Sequence, residues 1–136
     1  MGGWQGQLLR VNLTKGTCKK ESLDPKLARA YIGGRGVGTK ILSDEVDPKV
    51  DPLSPKNKLI MATGPLTGTN ASTGGRYMVI TKSPLTGAVA CSNSDGYIGA
   101  EIKFCGYDFL IFEGQAKATP ESAAKLKTVL ADLVKK

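Results

Sequence analysis

The sequence predicts a β-rich α+β fold with short helices and a C-terminal amphipathic helix. Short strand-like runs of apolar residues occur near the N-terminus and again after residue 58. Two segments between them carry helix-start signals and helical spacing of apolar side chains. The last residues place apolar side chains on one helical stripe with lysines opposite. Together these features place the chain in the α+β class.

The first predicted element is a β-hairpin over residues 7–23. Leu9, Val11 and Leu13 alternate with the residues between them, which is the period of a half-buried strand. The turn is supplied by Thr14-Lys15-Gly16. We therefore expect two antiparallel strands before the first helix.

Two helices are predicted next. Asp24-Pro25 begins the first, because aspartate caps free N–H groups and proline fits the first helical turn. This helix is expected to end at Gly33-Gly34 and to place on one face Leu27, Ala30 and Tyr31. The glycine-rich segment 33–38 leads into a second helix around Thr39–Val46. Three prolines exclude a helix from the following loop, residues 47–55.

The remainder is predicted to be short strands and a terminal helix. The strands are Leu59–Thr63, Tyr77–Lys82, Ala88–Cys91 and Phe109–Glu113. The tetrapeptide Pro-Leu-Thr-Gly follows two of them, at 65–68 and 84–87, and predicts two similar β-turns. We place one domain at residues 1–117. A lysine-rich amphipathic helix is expected at 118–136, where packing on the chain's own core is favoured over docking on a partner.

The composition excludes several classes of chemistry. The chain has 136 residues, enough for one domain with a modest core, and no histidine. Ser-His-Asp and Cys-His catalysis are therefore excluded, as are histidine-ligated zinc and iron sites. The three scattered cysteines, Cys18, Cys91 and Cys105, form neither a disulfide framework nor a four-thiolate cluster site. We expect Cys91 and Cys105 to be small core fillers.

The net charge of +7 leaves nucleic-acid binding as a weak alternative. Aromatic residues are only 6% of the chain and the basic residues form no dense arm. A mildly basic surface around a small anionic ligand fits better. No apolar run has the roughly 20 residues of a membrane span, and no signal peptide is present, so a cytoplasmic location is expected.

Three loops are candidate binding sites, each with a structural alternative. In the 33–38 segment, Arg35 could face an anion at a helix N-terminus, or the glycines could simply let two helices cross closely. At Thr73-Gly74-Gly75-Arg76-Tyr77 the glycines would let a ligand approach, and Arg76 offers a planar fork for phosphate. The alternative there is a loop with an exposed arginine. The polar turn 92–97 could hold an anion or Mg²⁺, or be a tight turn built on Asp95-Gly96.

Taken together, these motifs resemble the start of the aldehyde:ferredoxin oxidoreductases, the tungsten-containing family. The resemblance runs from residue 4 to about residue 117. It is carried in its first half by Trp4-Gln5-Gly6, Leu9–Thr14, Ile32–Gly36, Asp51–Pro55 and Ala62–Gly68. It continues through Gly74–Tyr77, Thr81–Gly87, Asn93-Ser94, Gly96-Tyr97, Lys103-Phe104, Gly106–Asp108 and Glu113-Gly114.

The resemblance implies a fold and a set of binding residues. In that family the N-terminal domain is a β-rich α+β unit with two related sheet motifs, on which a tungsten bis-pterin cofactor of the molybdopterin type rests. It implies that Arg76 contacts the pterin. It implies also that the turn holds a cofactor phosphate through Asn93, Ser94, Asp95 and Gly96, with the Asn93 backbone carbonyl reaching a bridging Mg²⁺. The family usually has glycine where this chain has Asp95, whose carboxylate would repel phosphate unless it turns outward or meets the Mg²⁺.

The resemblance also implies an activity for the complete family members. They oxidise aldehydes to carboxylic acids and pass electrons through an iron–sulfur cluster to ferredoxin; the metal is tungsten, with molybdenum as an alternative. The 4Fe-4S cluster motif and the catalytic acid/base groups lie in sequence that this chain lacks. We therefore expect the chain alone to be inactive, with the remaining oxidoreductase domains or a subunit as its partner, and to self-associate. The alternatives are a cofactor-free structural or interaction module and a general anion or nucleic-acid binder.

Overall fold

The computed structural model describes residues 3–117, which form one six-stranded mixed sheet with three helices. The strands are β1 (Gln7–Asn12), β2 (Thr17–Ser22), β3 (Lys58–Thr63), β4 (Tyr77–Lys82), β5 (Val89–Ser94) and β6 (Phe109–Glu113). The helices are α1 (Pro25–Tyr31), α2 (Gly34–Glu45) and α3 (Ile98–Phe104). The strand order is β2-β1-β6-β3-β4-β5. Only β1 and β6 are parallel among these neighbours.

This architecture confirms the α+β class. The described residues form a single sheet, however, rather than the two related sheet motifs that the resemblance implied. Five of the predicted strands occur with nearly the expected bounds, including both arms of the hairpin. The helix predicted at 118–136 lies outside the described residues.

The core lies between the sheet and α2. Val37, Ile41 and Leu42 of α2 are buried against Ile60, Ile80, Phe109 and Ile111 of the central strands. The helix approaches so closely that a Cβ on Gly38 would lie 2.4 Å from the Ile80 Cδ1 atom. This explains why α2 begins at Gly34, five residues before the predicted start at Thr39. Close packing outweighs the low helix propensity of its glycines. A Cβ on Gly36 would also lie 2.3 Å from the Tyr31 carbonyl oxygen, so the glycines let α1 and α2 approach closely, which is the structural alternative.

Helix α1 begins as predicted but buries a different face. Asp24 caps it, its carboxylate accepting the Lys26 N–H at 2.8 Å. Ala28 is buried and Leu27 packs against the core, whereas Ala30 and Tyr31 are exposed. Of the three residues predicted to share a face, only Leu27 contacts the core. A helix of seven residues contacts the core through about one turn, so the spacing of its apolar residues does not determine which of them are buried.

The cysteines differ from one another in environment. Cys91 packs against the core as predicted, but Cys105 is exposed, so its prediction as a core filler was wrong. Cys105 follows the last turn of α3 on the surface, a position that the local sequence does not reveal. All three are free thiols. Within residues 3–117, no helix has the length and apolar character needed to cross a membrane.

Candidate functional site

Arg76 and Asp95 lie opposite each other at the ends of two neighbouring strands. The register of β4 and β5 pairs Tyr77 with Ser94, so the residues just beyond them face each other. The Arg76 Nε atom lies 4.0 Å from the Asp95 Oδ2 atom, and the two side chains are 61% and 62% exposed. An ion pair this long and this exposed contributes little to stability. The two loops singled out from the sequence thus come together, and their charged groups remain mostly exposed.

Asn93 lies in a strand rather than in a turn. Ser92, Asn93 and Ser94 continue β5, where Asn93 pairs with Met78 of β4. The strand therefore ends three residues later than predicted, and the turn shrinks to residues 95–97. The extension occurs because β4 offers six residues for pairing, and a polar sequence pairs through its backbone as well as an apolar one does. The turn that contains Asp95-Gly96 connects β5 to α3, so it does not close a β-hairpin.

The glycines before Arg76 let protein segments pack against one another. A Cβ on Gly75 would lie 2.6 Å from the Asp95 Oδ1 atom, and one on Gly74 would lie 2.8 Å from the Leu66 carbonyl oxygen. Gly99 of α3 is equally close to the Gly75 carbonyl oxygen, at 2.8 Å for its added Cβ. Side chains at Gly74 and Gly99 would meet backbone atoms and push the loops apart, so the fold itself needs these two glycines. At Gly75 the nearest atom belongs to the exposed Asp95 side chain, which can move away.

Thr67 holds the Arg76 loop in place, a role that sequence reasoning missed. Its buried hydroxyl accepts the Gly64 N–H at 3.0 Å and donates to the Arg76 carbonyl oxygen at 3.0 Å. Thr67 belongs to the first Pro-Leu-Thr-Gly turn, and the closing glycines of both turns have positive φ, 73° and 69°. The repeat therefore makes similar turns, as predicted, but only the first contacts the candidate site.

Helix α3, which the sequence analysis also missed, is fixed by a buried ion pair. The Lys103 Nζ atom lies 2.5 Å from the Asp108 Oδ1 atom, with the two side chains 3% and 0% exposed. Lys103 also donates to the Gly3 carbonyl oxygen at 2.7 Å. Asp108 accepts N–H groups of Gln5 at 3.0 Å and Gly6 at 2.7 Å. The pair joins the N-terminal segment, α3 and the start of β6, and α3 in turn supports the backbone of Gly75.

The electrostatics of the site are mixed. The Asp95 Oδ1 atom accepts the Gly96 N–H at 2.8 Å, which occupies a donor that an anion would use. Arg35 is exposed in the first turn of α2. That helix start is near the site, because a Cβ on Gly34 would contact Met78, the sheet partner of Asn93, at 3.8 Å. Positive charge from Arg35 and Arg76 thus lies at the same end of the sheet as one carboxylate.

A shallow open depression of about 760 Å³ adjoins the turn. Glycine backbones and Asp95 form one side of it, and Tyr97, Ala100 and Phe104 form an apolar side. Its lining includes neither Arg76 nor Asn93. Among residues 3–117, no group of three or more cysteine, aspartate or glutamate side chains is placed to hold a metal ion. The arrangement suits one face of a larger binding site and provides no enclosed reaction chamber.

Comparisons with known proteins agree on one family. The family described as "Aldehyde ferredoxin oxidoreductase, N-terminal domain" matches residues 8–120. A tungsten-containing aldehyde ferredoxin oxidoreductase of Pyrococcus abyssi is 62% identical over 116 residues, and one of Thermococcus kodakarensis is 53% identical. An aliphatic sulfonate oxidoreductase, WOR-like subunit, of Pyrococcus furiosus is 39% identical over 121 residues.

A solved structure shows the same fold. It is a chain of the active site complex BamBC of benzoyl coenzyme A reductase, with a TM-score of 0.82 and 43% identity over 84% of this chain. The match covers 18% of that chain. Each of the three sequence relatives is likewise covered over 19% of its length, against 85–87% of this chain. The chain thus spans about a fifth of its relatives.

Proposed function

Because the chain belongs to the aldehyde ferredoxin oxidoreductase family through its N-terminal domain, we propose that it holds one face of a phosphorylated tungstopterin cofactor. The observation that carries this proposal is the meeting of the Arg76 loop with the Asp95 turn, next to Asn93. The cofactor would be a bis-pterin of tungsten, with molybdenum as the alternative metal. When bound, it would supply the two-electron chemistry by which an aldehyde becomes a carboxylic acid.

Arg76 fits the cofactor best among the candidate residues. Among residues 3–117, its guanidinium group makes one long contact with a carboxylate, and its side chain is mostly exposed. A planar guanidinium can donate two parallel hydrogen bonds to a phosphate or to a pterin carbonyl. We assign Arg76 the contact with the pterin or its phosphate.

The Asp95 turn fits after one local change. Asn93, Ser94, Asp95 and Gly96 would hold the phosphate, and the Asn93 backbone carbonyl would reach a bridging Mg²⁺, a cation that prefers oxygen ligands. The Asp95 carboxylate must first leave the Gly96 N–H. Since that side chain is 62% exposed, it can rotate into solvent or turn toward the Mg²⁺. The residues therefore fit a magnesium-bound phosphate better than a bare one.

The remaining four fifths of the relatives' length would supply everything else. Ferredoxin as the electron acceptor, the 4Fe-4S cluster, and the acid/base groups belong to that part in our proposal. The partner of this chain is accordingly the rest of an oxidoreductase, as further sequence or as a separate subunit. The chain alone would bind cofactor without turning over aldehyde.

Replacing Arg76 with glutamine is expected to weaken binding of magnesium pyrophosphate, used as a probe, at least about tenfold, since a charged hydrogen bond contributes about 1.5–3 kcal/mol. Isothermal titration calorimetry at low salt would measure the dissociation constants. The matched control is Arg29→Gln, which removes the same charge from the exposed surface of α1. If both variants weaken binding equally, the effect is one of net charge and the assignment of Arg76 is wrong.

Replacing Asp95 with asparagine is expected to strengthen binding of the same probe severalfold. The change removes a negative charge beside the phosphate while keeping the shape of the side chain. The gain should be larger for pyrophosphate without Mg²⁺ than with it, because a carboxylate that meets the cation is useful. Asp51→Asn, in a distant loop turn, is the control. Weaker binding by Asp95→Asn in both conditions would show that Asp95 is itself a ligand.

One observation favours a second candidate function, a cofactor-free module that keeps the fold. The hydrogen bond from Gly96 to Asp95 closes the turn upon itself. Elemental analysis for tungsten and molybdenum, with fluorescence detection of oxidised pterin, separates the two candidates in protein purified from its native host. Metal and pterin together would support cofactor binding, and the lack of both would leave the module. Binding of DNA with steep salt dependence would instead favour a general anion binder.

A further inference from the structure

The two edges of the sheet differ sharply in charge. The strand order places β2 and β5 at the edges. Strand β2 carries Lys19, Lys20 and Glu21 at its centre, with Lys19 and Glu21 joined in an ion pair of 3.0 Å. Strand β5, Val-Ala-Cys-Ser-Asn-Ser, has neither a charged residue nor a proline. Charges and prolines are what proteins use to stop an edge strand from pairing with another chain. Only the β2 edge has this protection.

The β5 edge is also regular enough to pair. Its six residues match those of β4 one for one, from Val89 opposite Lys82 to Ser94 opposite Tyr77, without a bulge. Within residues 3–117, no further strand lies on its outer side. Within the described part of the chain, its outward N–H and C=O groups therefore have no strand partner over a length typical of a strand.

Exposed apolar side chains flank β5 at both ends. Leu85, in the turn before it, is 92% exposed; Tyr97 and Ile98, just after it, are 86% and 51% exposed. If a second β5 lies antiparallel beside the first, the leading end of each strand comes next to the trailing end of the other. Leu85 of one copy is then brought toward Tyr97 and Ile98 of the other copy, and the same contact recurs at the other end of the paired strands. An antiparallel pair of identical strands has two-fold symmetry, so both copies use the same surface.

We propose that β5 is a self-association edge, which pairs antiparallel with β5 of a second copy of this chain and joins two six-stranded sheets into one. The net charge of +7 repels copies from one another at long range. Contact through an uncharged edge minimises that repulsion, whereas contact through β2 would bring lysines together. This inference goes beyond cofactor binding and does not depend on it, but a cofactor held at Asn93 and Ser94 would compete with pairing at that end of β5.

Replacing Ser92 with lysine tests the proposal on the complete chain. Ser92 is an exposed hydroxyl residue in the middle of β5. The matched control is Thr17→Lys, which adds the same charge at an exposed hydroxyl residue of the opposite edge. Sedimentation velocity over a range of concentrations would give the monomer–dimer dissociation constants. We expect Ser92→Lys to raise that constant at least tenfold and Thr17→Lys to leave it within twofold.

Two results would overturn the proposal. One is a wild-type chain that remains monomeric at high concentration, because β5 would then not pair with a second copy. The other is an equal loss of association in the two variants, which would make it an effect of charge alone. Hydrogen exchange keeps the test decisive if Ser92→Lys folds poorly. In the wild type, amides of β5 should exchange at least tenfold more slowly at high than at low concentration, and those of β2 should not change.

Discussion

Replacing Asp108 with alanine is expected to lower the free energy of unfolding by about 3–5 kcal/mol, the usual cost of leaving one partner of a buried ion pair without the other. Domains of this kind have only about 5–15 kcal/mol in total. The variant leaves the Lys103 ammonium group without its carboxylate partner, although the Lys103 side chain is only 3% exposed. It also removes the acceptor of the N–H groups of Gln5 and Gly6. Both losses act on the same junction, so we expect the largest single effect in the described part of the chain.

Lys103→Met should cost less, about 1–3 kcal/mol. Asp108 would keep its backbone donors, so less of its charge would be left unsatisfied. The Lys103 ammonium group also lies 4.7 Å from the centre of the Trp4 ring, a favourable cation–π contact that the variant loses. In a double-mutant cycle, the double variant should lose clearly less free energy of unfolding than the sum of the two single variants. The reason is that each single change leaves the other charged group buried without its partner.

Urea unfolding followed by fluorescence of Trp4, the single tryptophan, would measure these differences. The control is Asp44→Ala, which removes an exposed ion pair with Lys40 on α2 and should cost less than about 1 kcal/mol. An Asp108→Ala variant no less stable than Asp44→Ala would refute the role of the buried pair. Because α3 supports Gly75 and lies just after the Asp95 turn, the amide resonances of Gly75 and Gly96 should shift in Lys103→Met as well.

The elements that could be predicted from sequence are those with a local cause. Strands β4 and β6 have the predicted bounds because apolar side chains fill them and turn residues close them on both sides. The start of α1 was equally clear, since Asp24 caps the helix with its own side chain. In these places the signal lies within a few residues of the structure that it determines.

The elements that could not be predicted are fixed by distant contacts. Helix α3 has seven residues and a Tyr97 N-cap that makes no side-chain capping bond, so nothing local marks its start. It is held instead by the Lys103–Asp108 pair and by contact with the loops of the candidate site. Likewise β5 extends to Ser94 because β4 is there to pair with it. A polar run of this kind predicts a turn when the strand that pairs with it is not known.

The candidate site shows the same division. The residue types around Arg76 and Asn93 indicated an anion site, and their adjacency follows from the pairing of β4 with β5. Thr67 could be placed only by the folded chain, because its hydroxyl group meets the Arg76 carbonyl oxygen across nine residues of loop. The two glycines before Arg76 were assigned to ligand approach, yet the fold requires Gly74 for its own packing against the Leu66 backbone. Composition thus indicates the chemistry of a loop better than it indicates what supports the loop.

A second large effect is expected at Arg10, where one guanidinium group joins three carboxylates at the other end of the sheet. It binds Glu45 through two nitrogens at 2.8 and 3.0 Å and also contacts Glu21 at 3.1 Å and Glu113 at 3.3 Å. Lys58 adds a second cation beside Glu45 and Glu113. The side chains are only 16–30% exposed, so solvent screens these pairs less than ordinary surface pairs.

The network keeps its carboxylates charged. The hydrogen bond from Arg10 lowers the pKa of Glu21, with help from Lys19. Burial would raise the pKa of Glu45, but hydrogen bonds from Arg10 and Lys58 outweigh it and the pKa is lowered. At Glu113 burial would also raise the pKa, but the hydrogen bond from Asn12 and the charge of Lys58 outweigh it, so the pKa is lowered. The hydrogen bond with Glu45 raises the pKa of Arg10, which stays charged at every pH considered.

These shifts determine how stability depends on pH. A carboxyl group whose pKa is lower in the folded state binds fewer protons there than in the unfolded chain, so acid favours unfolding. The stabilisation is complete above the unfolded pKa of about 4.3. It is lost as the pH falls through the lower folded values. We therefore expect the free energy of unfolding to fall between about pH 5 and pH 3, the range around and below that unfolded pKa.

Replacing Arg10 with methionine should cost about 2–4 kcal/mol at pH 7, because the three carboxylates then keep only Lys58 and the exposed Lys19 as nearby cations. At pH 3 the same variant should differ from the wild type by less than half as much, since protonation removes the repulsion that the arginine had relieved. The control Lys19→Met removes a 76% exposed partner of Glu21 and should cost less than about 1 kcal/mol at either pH. Urea unfolding at the two pH values measures all three proteins. An Arg10→Met penalty that is the same at pH 3 as at pH 7 would mean that Arg10 acts through packing of its apolar stem, and that the three carboxylates contribute nothing through it.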